Sequence, residues 1–158
     1  MDTNTDNGIS AEQLRKELGA VETSAGEATS ADTDPSKAIA ADVREQLSGG
    51  QSFRFNENLV KESLDDLLLV LIALKEGGAH GKGLMSDLAD HFDANLSPGT
   101  VYPRLHDLEE EGLLEVHELV KTKKYSIADT ERARRRIEQT LQHHIAIGSV
   151  FHASLDEI

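Results

Sequence analysis

The groups in this chain best suited to holding a phosphodiester fall in two short stretches. In the first, Ser97 and Thr100 carry hydroxyls, Tyr102 a phenol, Arg104 a planar fork of donors and His106 an imidazole, with Pro103 among them. In the second, Lys121-Thr122-Lys123-Lys124 set three ammonium groups and a hydroxyl side by side. An arginine fork can grip a guanine edge, whereas hydroxyls and lysines serve the sugar-phosphate backbone. No comparable set points to a reaction. The histidines (His80, His91, His106, His117, His143, His144 and His152) show no His–carboxylate spacing of a metal site. There is no cysteine for thiolate chemistry. Neither a glycine-rich phosphate loop nor a nucleophile elbow occurs. The chain therefore reads as a binding protein, not an enzyme, with no cofactor and no bound metal expected.

For the first stretch to face a duplex, a helix must present it by its leading end. Residues 96–112 meet that need. Ser97 suits a helix N-cap and Pro98 the first helical position. Val101, Leu105 and Leu108 recur at helical spacing as a buried stripe, and Gly112 ends the run. Charge divides along it: the first half holds Arg104 and no acid, the second holds Asp107, Glu109, Glu110 and Glu111. Only the leading end, whose free N–H groups favour an anion, can approach phosphates. That is the end-on insertion of a helix-turn-helix recognition helix.

The neighbouring elements follow from periodicity. Leu59 to Leu74 predict one helix, apolar around most of its circumference and ended by Gly77–Gly78. It needs cover on more than one side, so Leu64, Leu68 and Leu71 are assigned to a partner subunit. A second helix runs from about Lys82 to Phe92, with Leu84, Met85, Leu88, Ala89 and Phe92 on one stripe. Two strands follow the recognition helix, Leu113–Val120 and Lys124–Ile127, which places Lys121–Lys124 at a hairpin tip. A basic tip suits a minor groove or the flanking backbone, and also a solvated turn. Arg132, Arg134, Arg135 and Arg136 open a last helix that starts near Asp129 or Thr130, within reach of a phosphate or of Glu109–Glu111. Along it Ile137, Leu141, His144, Gly148, Phe151, Leu155 and Ile158 recur at alternating intervals of four and three, a heptad seam widened by Ile145, Ile147 and Val150. The seam is expected to pair with a symmetry mate or to lie on the body of its own domain. The expected fold is mainly α with a small β-hairpin, a winged helix-turn-helix with long N- and C-terminal dimerisation helices.

Three regions are expected: an acidic, partly disordered extension over 1–52, the winged DNA-binding domain over 53–128 and the C-terminal dimerisation helix over 129–158. Within the extension, Ser10 and Gln13 form a capping-box pattern for a short helix that Gly19 stops. Ser36 is expected to cap a second helix holding Ile39, Val43 and Leu47, ended by Gly49–Gly50, with Glu22–Pro35 as a linker between the two. The net charge of −13 is spread over the chain, since residues 1–50 carry ten acids against four bases and residues 51–158 carry nineteen against twelve. Diffuse acidity of this kind reads as a solvated halophile surface. At molar salt the Debye length falls to about 3 Å, so the acidity does not bar DNA, and bound salt ions can bridge acidic side chains and phosphates. The longest apolar run, Leu67–Leu74, falls short of the roughly 18 residues of a membrane span, and no signal-peptide pattern opens the chain. A cytoplasmic protein without membrane contact is expected.

The stretch Leu96-Ser97-Pro98-Gly99-Thr100-Val101-Tyr102-Pro103-Arg104-Leu105-His106-Asp107-Leu108-Glu109-Glu110-Glu111-Gly112-Leu113 resembles the signature of the PadR-like family, Ser-x-Gly-Thr-hydrophobic-Tyr-Pro-x-Leu-x-x-Leu-Glu-x-x-Gly-Leu. Lys124-Tyr125-Ser126-Ile127 followed by Thr130-Glu131 is similar to that family's strand and step into its last helix, and His80–Gly81 falls where it carries a His-Gly pair. The resemblance covers residues 64–136. It implies a winged-helix transcription regulator that binds double-stranded DNA, dimerises through its terminal helices and contacts DNA through Thr100, Tyr102 and Arg104. The chain departs from the pattern in a short wing without glycine and in its N-terminal extension, and with four Phe, two Tyr and no Trp it offers no recognisable phenolic effector pocket. A homodimer would set two recognition helices about 34 Å apart on an inverted repeat. The acidic surface motivates an alternative, a winged-helix protein–protein module without direct DNA binding.

Overall fold

The structure is a computed structural model and describes residues 34–49 and 52–158. The described residues up to Glu138 form one compact unit, and Gln139–Ile158 belong to another. The expected helix at Ser10–Gly19 and the linker before residue 34 lie outside the described residues.

The elements of the compact unit are α1 (Pro35–Leu47), α2 (Glu57–Glu62), α3 (Leu64–Ala73), β1 (Ala79–His80), α4 (Gly81–Phe92), α5 (Pro98–Glu110), β2 (Leu114–Glu118), β3 (Lys123–Ile127) and the start of α6 (Thr130–Leu155). The strands form an antiparallel sheet in the order β1-β3-β2, with Val116 opposite Tyr125 and Tyr125 opposite Ala79. Helices α3, α4 and α5, followed by the β2–β3 hairpin and a long helix, make a mainly helical winged helix-turn-helix. β1 escapes sequence reading because two residues carry no period; pairing with β3 alone defines it.

Capping chemistry sets the helix starts. Asp34, not Ser36, caps α1: its carboxylate accepts from the Ser36 N–H at 3.0 Å, because Pro35 takes the first helical position and moves the cap two residues back. Asn56 Oδ1 caps α2 by accepting from the N–H groups of Asn58 and Leu59. The single long helix expected over Leu59–Leu74 is two helices, broken at Ser63, which has φ −101 and ψ 17. The break places Asp65 and Asp66 in the first turn of α3, where carboxylates are favoured by the helix dipole.

Packing absorbs the apolar surplus that pointed to a partner. Leu64, Leu68 and Leu71 are at most 1% exposed, as is Leu69, with Ile72 at 2%. They meet Leu84 and Leu88 of α4, Val101, Leu105 and Leu108 of α5, and the sheet residues Leu114 and Tyr125 in one core cluster. The assignment of Leu64, Leu68 and Leu71 to a dimer interface is therefore corrected: the unit's own helices and sheet cover α3 on all the sides it needs.

In the second unit α6 continues to Leu155. Leu141, Ile147, Val150, Phe151, Leu155 and Ile158 are exposed, as are His144 and Gly148, while Ile145 is half-buried. His144 Nδ1 lies 2.8 Å from the Thr140 carbonyl.

Candidate nucleic-acid interface

Burial of Val101, Leu105 and Leu108 fixes the rotation of α5 about its axis and turns Tyr102, Pro103, Arg104 and His106 outward. Ser97 is exposed at the N-cap position with extended backbone, yet its hydroxyl makes no capping bond. It faces the Thr100 hydroxyl at 3.2 Å instead. The first N–H groups of α5 thus have no side-chain cap. Pro103 sits inside the helix without breaking it, one hydrogen bond short.

The outward side chains are not all free. Arg104 Nη1 lies 3.3 Å from Asp65 Oδ1, at the start of α3. His106 reaches along its own helix, 3.4 Å from Glu110 and 3.8 Å from Glu109, so its ring leans toward the acidic trailing half. That half is tied down by the next helix. Arg136 Nη1 meets Glu111 Oε2 at 2.6 Å. The Arg132 guanidinium donates to the Glu111 carbonyl at 2.9 Å, a cation at a helix C-terminus. Of the two destinations open to the arginines of α6, the acids and carbonyls of α5 hold Arg132 and Arg136.

Beside Tyr102 the structure forms a cavity of about 510 Å³ between the start of α4 and the wing. His80, Gly81 and Lys82 line one side, Tyr102 the floor, and Leu119 to Lys123 the other side, joined by Glu118. The walls are tied together where His80 Nδ1 meets the Lys123 carbonyl at 3.3 Å. His80, Gly81 and Lys82 were not singled out as contacts from the sequence. The two-residue strand β1 is what carries them to the wing, and it has no sequence period. Tyr125, buried behind the wing, has its phenol pushed above the usual value, by burial first and then by Tyr102 and Glu109, so it stays a neutral supporting ring.

The wing tip differs from expectation. Its turn is Leu119–Thr122, closed by the Leu119 N–H donating to the Thr122 carbonyl at 2.8 Å. Lys123 and Lys124 already belong to β3. Lys124 is half-buried and folds back over the Gly77–Gly78 turn, away from the tip, and Lys123 pairs with Glu118 at 3.8 Å. Lys121 and Thr122 remain exposed at the tip, beside a fully exposed Val120 and a half-exposed Leu119. Strand pairing of Lys123 with Glu118 and of Lys124 with His117 draws the tip toward the apolar residues.

Away from this face, Asp34, Asp87 and His91 bring two carboxylate oxygens and an imidazole nitrogen within 4.8 Å of one another, a spacing a metal ion could use. Lys75 supplies the cation instead, its ammonium 2.5 Å from Asp87 and 3.9 Å from Asp34. Ser36 completes the cluster, its hydroxyl 2.7 Å from Asp34 and 3.2 Å from His91 Nδ1. These five residues lie in three separate stretches of sequence, so no local motif announces them. Among the described residues no helix is long and apolar enough to cross a membrane.

Comparison with known proteins bears on the same segment. The model of the transcriptional regulator PadR-like family matches residues 70–139. Transcriptional activator GvpE1 of Halobacterium salinarum is 40% identical over 111 residues, 70% of this chain and 58% of that protein. Transcriptional activator GvpE of Haloferax mediterranei is 42% identical over 98 residues, 62% of this chain and 50% of that protein. The chain spans about half the length of the curated relatives it matches, and both organisms are halophilic archaea, in keeping with the acidic composition. A solved structure titled Lactococcus lactis ZitR, C30S mutant, aligns over 96% of this chain and 86% of that chain at 18% identity and a TM-score of 0.40. Residues 70–139, which carry α5 and the β2–β3 hairpin, are thus the part of this chain that is similar to the transcriptional regulator PadR-like family.

Proposed function

We propose that the chain is a sequence-specific DNA-binding transcription regulator that works in the cytoplasm as a homodimer on an inverted-repeat site. The observation that carries the reading is the face shared by α5, the α4 start and the wing. In a chain of net charge −13, the cavity beside Tyr102 gathers Lys82, Lys121 and Lys123 against a single acid, Glu118. Local positive charge of this kind is the footprint of a polyanion. Next to it the uncapped start of α5 offers its N–H groups to a phosphate. Ser97, Thr100, Tyr102, Pro103 and Arg104 would meet the major groove, with His106 at its edge, while Lys121, Thr122 and Lys123 hold the flanking backbone and Lys124 steadies the wing from behind. The names of the relatives favour activation over repression.

The homodimer rests on the second unit. Leu141, Phe151 and Leu155 are exposed at heptad spacing, with His144, Ile145 and Gly148 on the same seam; Ile137, expected there as well, packs instead against the core of the first unit. Water contact along such a stripe is relieved by a second copy. Selection of bound duplexes from a random-sequence pool, followed by footprinting on the winner, tests the reading. The expected result is a two-fold symmetric footprint, and Arg104→Ala is expected to weaken binding by about 1–3 kcal/mol if Arg104 reads a base. Recovery of no preferred duplex would remove the reading. Relief of affinity loss at high salt, with cations bridging acids and phosphates, belongs to the same proposal: the slope of affinity against KCl is expected to be shallow, and a steep fall counts against it.

One observation favours a second reading, a protein–protein module. Val120 and Leu119 expose apolar surface at the wing tip, where a minor-groove reader would carry cations. Retention of a protein partner by a chain that selects no DNA would support it.

A further inference from the structure

The proposed base-reading arginine is already occupied. Arg104 Nη1 stands 3.3 Å and 3.4 Å from the two oxygens of Asp65, so its guanidinium points back to α3 rather than out along the leading end of α5. Asp65 has a second cation. Arg136 Nη2 lies 3.4 Å from Asp65 Oδ2, and the same guanidinium meets Asp66 Oδ1 at 3.4 Å and Glu111 Oε2 at 2.6 Å. Three carboxylates therefore share two guanidinium groups, and the two are not equal. The Arg136 side chain is 28% exposed and gripped from three acids, whereas Arg104 is 48% exposed and gripped from one. Arg104 is the member able to leave.

We propose that Asp65 is an intramolecular competitor for Arg104, holding it off DNA at low salt and releasing it as salt rises, while Arg136 keeps Asp65 paired once Arg104 has gone. The inference rests on the DNA-binding reading and adds a regulator of that same site. Its physics is screening. When Arg104 departs, Asp65, Asp66 and Glu111 are left to share Arg136 alone, and the cost is electrostatic between partly exposed groups. That cost shrinks as the Debye length contracts from about 8 Å at physiological ionic strength to about 3 Å at molar salt. Attraction between the cationic face and phosphates also weakens with salt through counterion release. The two trends oppose each other, so the pairing flattens the salt response. The device converts high salt from an obstacle into the condition that frees the reading residue.

The test measures fluorescence anisotropy on a duplex that the chain itself has selected from a random-sequence pool. The chain, Asp65→Asn, Arg104→Ala and the double variant are compared from about 0.2 M to about 2 M KCl, a range that crosses the screening regime. Asp65→Asn is expected to bind several-fold tighter at the low end, with the gain fading toward the high end and a steeper overall salt slope. In the Arg104→Ala background the same substitution is expected to give no gain. Equal affinity of the chain and Asp65→Asn at low KCl overturns the proposal, and so does a gain that survives without Arg104, since it would then be a general effect of removing one negative charge. Should Asp65→Asn unfold below the assay temperature, Asp65→Ser carries the same expectations. A chain that binds its selected duplex yet shows no gain in the variant sinks this inference alone, whereas a chain that selects no duplex sinks the DNA-binding reading and this inference with it.

Discussion

A β-carbon at Gly81 would stand 2.5 Å from the Tyr102 hydroxyl oxygen and 2.6 Å from its ring, so the phenol rests on bare backbone at the start of α4. The contact places Tyr102 on the floor of the basic cavity, and it decides what a single methyl group would do. Gly81 has no positive φ, so alanine costs no backbone strain, and Tyr102 is 37% exposed and can swing away. Gly81→Ala is therefore expected to leave the melting temperature nearly unchanged while weakening DNA binding, because the displaced ring narrows the cavity and withdraws its hydroxyl. Anisotropy and thermal melting of the same preparation check both halves; undiminished affinity would mean that Tyr102 does not need its present position. At this scale the sequence was informative about residue type and silent about partners. Arg104 stood out as the lone cation in the leading half of its helix, but Asp65 is 39 residues away, and nothing local links them. His106 was assigned to DNA for its type, while its two nearest acids lie one turn further along the same helix.

Among the elements, α1 depends on charge more than the others do. Only Ser36 and Ala40 of its residues are buried, so its grip on α4 comes chiefly from polar contacts at its two ends. At one end burial opposes ionisation of Asp34, but hydrogen bonds from the Ser36 hydroxyl and N–H and the charges of Lys75 and His91 outweigh it and hold the carboxyl below its ordinary 3.8. At the other end burial likewise opposes ionisation of Asp93, and the Phe55 N–H together with Arg44, at 3.0 Å, overcomes it. A carboxyl whose folded pKa is depressed contributes stability that is fully present above its unfolded value and is lost as pH falls through the folded one. Docking of α1 is thus expected to be constant from neutrality down to about pH 4, then to fail below it, ahead of the core. Hydrogen exchange of the α1 amides against those of α3, followed as pH is lowered, measures this; simultaneous loss of protection in both helices would refute a separate acid release. The helices themselves were legible because apolar spacing is a local signal. Val101, Leu105 and Leu108 announced α5, and Leu84, Leu88 and Phe92 announced α4. The break at Ser63, the strand β1 and the docking of α1 were not legible, since a polar residue within an apolar run, a two-residue pairing and a contact between Ser36 and His91 leave no period to read.

On the scale of the whole molecule, the sequence offered two apolar surpluses and one explanation for both. Separating them needs two substitutions with opposite signatures. Leu68 is fully enclosed by its own unit, so Leu68→Ala should lower unfolding stability by about 2–5 kcal/mol, the usual cost of a core cavity, whatever the protein concentration. Phe151 is 67% exposed and belongs to no core cluster among the described residues, so Phe151→Glu leaves the core of the compact unit untouched. Its expected effect is on association: if the seam on α6 pairs two copies, a charge at a central seam position is desolvated against its symmetry mate, and the dimer should dissociate at concentrations where the parent chain remains paired. Sedimentation velocity over a concentration series reads the second effect, and melting at fixed low concentration reads the first. A Phe151→Glu chain as dimeric as its parent would mean that the exposed stripe is not the subunit contact. DNA binding then ties the two scales together. A monomer reads one half-site, so Phe151→Glu should also replace a symmetric footprint by weak, single half-site protection, although residue 151 lies outside the unit that carries Arg104.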